Sequence, residues 1–242
     1  MLVVATYIMS DLHGCYEEWQ NMLQIIQFND SDTLYIIGDV LNRGPKPLTL
    51  LSEIRKHPNM HLLLGNHEDW FLSLMDVIDQ DNHNYRSPKA RMDAHNWLYH
   101  NGGEATADEF DLLSRDEKKE LKQYLSRLPI YMNITVNGQV YLLVHSGFSN
   151  MFSREYPMEH YTKDILLWSY MDINGSYYTD KTVIVGHIPT FQQGKEHAGK
   201  IIRKNGQIHV DCGCCFGYTL GCIRLEDMQE FYVQARQKTN HE

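Results

Sequence analysis

Apolar runs that end abruptly in polar motifs dominate the first 70 residues. Tyr7-Ile8-Met9 leads into Ser10-Asp11-Leu12-His13-Gly14, Leu34-Tyr35-Ile36-Ile37 into Gly38-Asp39, and Leu62-Leu63-Leu64 into Gly65-Asn66-His67-Glu68. Short continuous runs of this kind predict strands buried on both faces. Between them Trp19, Met22, Leu23 and Ile26 recur at helical spacing, and Leu48, Leu51 and Ile54 line one side of residues 47–57. The predicted order is therefore βαβαβ. Asp11 to Asp39 spans 28 positions and Asp39 to Asn66 spans 27, one strand–helix–strand crossover each. All three polar motifs then leave the same C-terminal edge of a parallel sheet, where α/β folds bind ligands.

Residues 68–127 are polar with helical spacing and predict a small helical cap, with the charge run 116–120 as a solvated helix face. From Tyr131 the period changes to two. Tyr131–Val136 and Gln139–Val144 flank Asn137-Gly138, and residues 200–204 and 207–210 flank Asn205-Gly206, two hairpin signals. Thr182–Val185 runs into Gly186-His187, and residues 219–225 and 230–233 predict closing strands. The expectation is one α/β domain over 1–242, with a second, antiparallel-rich sheet after the first.

Composition narrows the function classes. Against 31 Asp+Glu stand 22 Lys+Arg, a net charge of −9, which argues against a nucleic-acid polymer or an anionic membrane as partner. No apolar stretch approaches the ~20 residues of a membrane-spanning helix, and the N-terminus lacks a secretory-signal pattern. A cytoplasmic protein is expected. Four of the five cysteines crowd into residues 212–222, too close together to staple a fold, so free buried thiols are expected. A zinc half-site there is the alternative, but no second Cys/His pair accompanies it.

Seven side chains fall at strand ends: Asp11, His13, Asp39, Asn66, His67, His145 and His187. Each alone has an ordinary reading as a cap or surface residue. Together they form a carboxylate, imidazole and amide set suited to Mn²⁺, Fe or Zn²⁺, with one carboxylate shared between two ions.

At these residues a family resemblance becomes specific. Asp11-Leu12-His13-Gly14, the segment from Gly38-Asp39 to Asn42-Arg43-Gly44, Gly65-Asn66-His67-Glu68, His145-Ser146-Gly147 and Gly186-His187 resemble, in order, the five motifs of the calcineurin-like metallophosphoesterases. The phosphoprotein-phosphatase branch is the nearest in pattern, and Asn101-Gly102-Gly103 and Asp211-Cys212-Gly213-Cys214 resemble its bacterial members. The resemblance implies a two-sheet αββα sandwich with two divalent metal ions at its edge, Mn first among the candidates. It implies Asp11 and His13 on the first ion, Asp39 shared, and Asn66, His145 and His187 on the second. His67 would be the general acid and Arg43 would hold the phosphoryl oxygens, with Asn66 and His67 also near the substrate. A hydroxide bridging the ions would attack phosphorus in line.

Two positions depart from the pattern. Asn42 stands where the protein phosphatases carry an Asp that orients the catalytic His, and Tyr170 stands where a second phosphate-binding Arg is expected. A neutral amide in place of a carboxylate weakens the general acid, which an alkoxide leaving group needs more than a nucleotide phosphate does. The leading expectation is a serine/threonine-type protein phosphatase or broad phosphomonoesterase, acting on a phosphorylated protein or a small phosphoester. The alternative is a symmetrical dinucleoside tetraphosphatase, whose C-terminal segment 213–217 resembles. A catalytically weak metal-binding pseudo-enzyme is a third reading. The remaining nine histidines are expected to be ordinary core or surface residues.

Overall fold

The three motif-bearing strands pair side by side in a computed structural model that describes residues 4–79, 87–148 and 157–236. Strands β1 (Thr6–Met9), β2 (Thr33–Ile36) and β3 (Met60–Leu62) are parallel, with helices α1 (Tyr16–Ile25) and α2 (Pro47–Lys56) as the crossovers. Helix α2 begins on Pro47, whose fixed φ suits a first turn, and ends on Arg55 and Lys56, which complement the helix dipole. Four helices follow: α3 (Asn66–Ile78), α4 (Pro88–His100), α5 (Glu104–Asp111) and α6 (Arg115–Leu125). Next come β4 (Tyr131–Val136), β5 (Gln139–Val144), α7 (Lys163–Trp168), β6 (Thr182–Val185), β7 (Ile202–Lys204), β8 (Gln207–His209), β9 (Thr219–Arg224) and β10 (Gln229–Gln234).

The architecture is the expected αββα sandwich of two five-stranded sheets, ordered β10-β9-β1-β2-β3 and β4-β5-β6-β8-β7. Two details correct the expectation. The closing strands do not extend the second sheet: β9 pairs antiparallel with β1, so β9 and β10 complete the first. The second sheet is also mixed, since β5–β6 and β6–β8 are parallel and only the two hairpins are antiparallel. Turn chemistry reports which sequence neighbours pair; it is silent on which distant strand they join.

Alternate residues of the strands feed three apolar layers. Tyr7, Met9, Leu34, Ile36, Leu62, Leu220 and Cys222 face the helical layer of α1–α6. Ile8, Ile37, Leu63, Leu143, Ile184, Ile208 and Ile223 fill the space between the sheets. Leu142, Val144, Val183 and Val185 face Phe148, Leu166 and Tyr177 on the far side. Phe71, Trp97, Phe110 and Leu121 of the 68–127 region belong to the same core cluster as α1 and α2. That region therefore shares the core of the helical layer. Its charge run is not wholly solvated, because Lys118 is buried, donates to Asp79 and lies 4.8 Å over the Phe110 ring. The long aliphatic stem lets a lysine cover apolar surface while its ammonium reaches a carboxylate. No helix among the described residues is long and apolar enough to cross a membrane.

Candidate metal centre and active site

The strand-end loops interlock. The N–H groups of Asp11, His13 and Gly14 donate to the carbonyls of Gly38, Asp39 and Val40, so the first two motifs are zipped into one unit. Glu68 locks the third motif onto them, its buried carboxylate accepting from the N–H groups of Asp39, Val40, Leu41 and Gly65 at 2.8–3.0 Å. Asp11, His13, Asp39, Asn42, Arg43 and His187 all have positive φ, a conformation uncommon outside glycine though less so for Asp, Asn and His than for Arg. Strained backbone held by a rigid surround is characteristic of functional sites.

The glycines before the motif residues make room for the carboxylates. A Cβ on Gly65 would lie 2.2 Å from Asp39 Oδ1, and one on Gly186 would lie 2.2 Å from Asp11 Oδ2. Gly102 plays a related part, its carbonyl accepting from Arg43 N–H at 2.7 Å with no side chain between the two backbones.

Asp39 sits between two groups of ligand atoms: His13, Asp39 and His67 form one, and Asp39, His145 and His187 the other. Its Oδ2 lies 3.7 Å from His13 Nε2 and 3.8 Å from His67 Nε2, while Oδ1 lies 3.4 Å from His145 Nε2. Asn66 Oδ1 joins the second group, 2.8 Å from His145 Nε2 and 3.0 Å from His187 Nδ1. Asp11 Oδ1 lies 3.9 Å from His13 Nε2. Carbonyls orient two rings: His13 Nδ1 donates to Leu41 O and His145 Nδ1 to Ile37 O, which turns each Nε2 toward the cluster.

Electrostatics favour a cation here. Burial raises Asp39, but the imidazoles of His145 and His67 outweigh it and hold the carboxyl well below its ordinary range. Burial lowers His145, yet the charge of Asp39 lifts it to about 10. Burial, reinforced by Arg43, holds His13 well below its ordinary value, and burial with the neighbouring His145 lowers His187 to about 3. Burial pushes Asp11 up to about 6, and its Oδ1 has no hydrogen-bond partner. A buried carboxylate oxygen without a donor is costly unless a cation meets it. The donor set thus fits divalent ions.

Each residue singled out in the sequence can now be located. Asp11, His13, Asp39, Asn66, His67, His145 and His187 are all brought together. Arg43 reaches in from the rim, donating from Nη1 to His13 Nε2 at 2.6 Å and placing Nη2 3.0 Å from His67 Nε2. Asn42 does contact His67, its Nδ2 lying 2.7 Å from Nδ1. Tyr170 stands apart on the exposed rim, its hydroxyl donating to Gln193. Of the other histidines, His83 and His241 lie outside the described residues, and none of the rest joins either ligand group.

Several contributors had no role assigned from sequence. Glu68 completes a motif but shows its clamp only in the folded chain. Thr106 of α5 accepts from Asn42 N–H and donates to Asn42 Oδ1, holding that amide against His67. Cys215 accepts from Arg43 Nη1 at 3.8 Å. Asp211 is buried, bonded to Gly213 N–H and pushed well up by burial and by Asp11. All five cysteines are free thiols.

A family model described as calcineurin-like phosphoesterase matches residues 5–217. The chain belongs to the calcineurin-like phosphoesterases. It is a metal-dependent phosphoester hydrolase of the family that uses a dinuclear divalent centre. Two curated relatives span almost the whole chain. One, from Erwinia tasmaniensis, is 27% identical over 284 residues, covering 97% of this chain and 99% of its own length. The other, from Escherichia coli K12, is 27% identical over 277 residues, covering 94% of each chain. Both are named symmetrical bis(5'-nucleosyl)-tetraphosphatases. The crystal structure of a proposed diadenosine tetraphosphatase superposes with a TM-score of 0.66 at 18% identity, covering 98% of this chain and 96% of that one, which establishes the shared fold.

Proposed function

We propose that this phosphoesterase is a symmetrical dinucleoside tetraphosphatase, hydrolysing diadenosine tetraphosphate to two ADP. The observation that carries the reading is the similarity to tetraphosphatases over nearly the full length of both chains. It ranks ahead of the protein-phosphatase reading of the motifs. The Asn42 contact supports it: His67 Nδ1 faces a neutral amide, so no carboxylate stabilises an imidazolium there. Burial and Arg43 also outweigh the pull of Asp39 and lower His67 to about 4. A weak proton donor suffices for a nucleoside diphosphate leaving group, which is far less basic than an alkoxide.

In this reading Asp11 and His13 would hold one ion and Asn66, His145 and His187 the other, with Asp39 serving both. Bound divalent ions supply Lewis acidity and a water of lowered pKa. Arg43 turns its guanidinium from His13 and His67 to the phosphate chain, binding oxygens through a planar fork. His67, steadied by Asn42 and Thr106, would hydrogen-bond through its Nε2–H to the departing bridging oxygen. Water adds to one central phosphorus, the bridge to the other breaks, and each half leaves as ADP. Manganese is the preferred ion, with iron or zinc accepted by the same ligands. We treat the chain as one catalytic unit with 68–127 as its cap, in the cytoplasm, where free thiols persist.

The test is purified, Mn²⁺-loaded protein assayed on diadenosine tetraphosphate and on a phosphoserine/phosphothreonine peptide panel. ADP release at a kcat/KM well above that of any peptide is expected. A clear preference for phosphopeptides overturns the proposal.

A further inference from the structure

Beside each half of the ligand cluster stands an exposed aromatic ring that the chemistry above does not use. Among the described residues the exposed aromatics are Tyr99, Trp168, Tyr170, Phe216 and Tyr218. Phe216 is 48% exposed, with the Arg43 guanidinium 5.0 Å from its ring centroid and Phe191 meeting it edge-on. Arg43 in turn touches His13 and His67 of the first ligand group. Trp168 is also 48% exposed and meets His187 of the second group at 6.1 Å, with Trp70 behind it at 5.8 Å.

We infer that Phe216 and Trp168 are the stacking faces for the two nucleobases of a dinucleoside polyphosphate, one on each side of the dinuclear centre. The inference rests on the tetraphosphatase reading and assigns specificity within that site. Each ring keeps about half of its surface bare beside the cluster, Phe216 next to Arg43 and Trp168 next to His187. Every base offers a π-face, so a planar ring binds one without reading hydrogen bonds. Phe216 is well supported for the task. Gly213 and Gly217, both left-handed, bracket the short turn that displays it, and Phe191 is itself stacked on Tyr218 at 4.7 Å.

Two base positions also explain cleavage at the middle of the chain. A substrate gripped at one end leaves the register of its phosphates against the metals unset. Gripped at both, with equal reach on each side, it places its central bridge at the centre, and two ADP result instead of ATP and AMP.

The experiment uses the full-length, Mn²⁺-loaded protein and its Phe216→Leu and Trp168→Leu variants, which keep apolar volume but lose the π-face. Diadenosine tetraphosphate is compared with inorganic tetrapolyphosphate, which has no bases, and products are separated by ion-exchange chromatography. The KM for diadenosine tetraphosphate is expected to rise about tenfold relative to that for tetrapolyphosphate in each variant. The double variant is expected to release ATP and AMP beside ADP, and Phe216→Tyr and Trp168→Phe to restore the ratio. Equal rises for both substrates, meaning an effect through Arg43 or His187, overturn the platforms while the unmodified protein still releases ADP. Absence of ADP release by the unmodified protein overturns the tetraphosphatase reading, and the two-base assignment with it.

Discussion

The two ends of the sandwich both turn the chain through left-handed backbone, but in different surroundings. At the end away from the ligand cluster the left-handed turns include Asn137-Gly138 and Asn205-Gly206, with Gln27 and Met228 also at positive φ, and a Cβ on Gly138 would meet nothing within 4 Å. At the catalytic end positive φ falls on Asp11, His13, Asp39, Asn42, Arg43 and His187. There the conformation is set by cross-links, above all the Glu68 carboxylate clamped on four N–H groups. One end turns in open space; the other holds the clustered side chains at fixed positions by interlocked backbone and the Glu68 clamp. Fold and site are thus separable, and substitutions at the two ends should fail in different ways.

The sharpest separation comes from Asp39→Asn, which removes the charge common to both ligand groups. Turnover should fall about 10³-fold, measured as ADP release, while far-ultraviolet circular dichroism is unchanged. Full retention of rate would break the assignment of Asp39. Next, one substitution can be made at each end. Gly65→Ala forces a Cβ to within 2.2 Å of Asp39 Oδ1, and displacing a reacting group by about 1 Å costs on the order of 100-fold in rate. Gly138→Ala is the counterpart at the other end, and its effect should be the smallest of the set.

Chelation tests the catalytic end without mutation. Removing ions present at about a thousandfold excess over Kd should lower stability by about 4 kcal/mol, seen as a drop in thermal midpoint that Mn²⁺ restores.

Acid should act through a residue outside both groups. His209 is buried on β8, bonded to Gln207, and burial lowers it to about 4 from 6.5. A depressed imidazole contributes stability that is complete above the unfolded value and lost as pH falls from about 6.5 through about 4. Between pH 7 and 4.5 the loss is about 2–3 kcal/mol, and urea unfolding of His209→Gln should show correspondingly less acid sensitivity. Gly138→Ala, at φ +79°, should cost about 1–2 kcal/mol in the same measurement and leave turnover untouched.

The candidate cluster was legible because its members follow apolar runs, and Asp39, Asn66 and His187 each follow directly on a glycine whose added Cβ would crowd the cluster. The hairpins at Asn137-Gly138 and Asn205-Gly206 were legible for a similar reason: the signal and the structure it specifies lie within a few residues. The destination of β9 and β10 was not, since a hairpin is internally satisfied in either sheet. Burial of Lys118 was missed because the charge run around it is polar at every position, and only the approach of Phe110 and Asp79 from other helices makes a dry site for its stem.

By itself the sequence determined the crossover order, the C-terminal edge at which the motifs emerge and the chemical type of each candidate ligand. These follow from local periodicity and strand-end position. Only the tertiary structure decided what surrounds them: Thr106 against Asn42 across 64 positions, Cys215 against Arg43 across 172, and Phe216 and Trp168 on the two sides. Such contacts join segments whose separation along the chain carries no signal, because each depends on how the sheets and the helical layer pack and not on any residue's own neighbours.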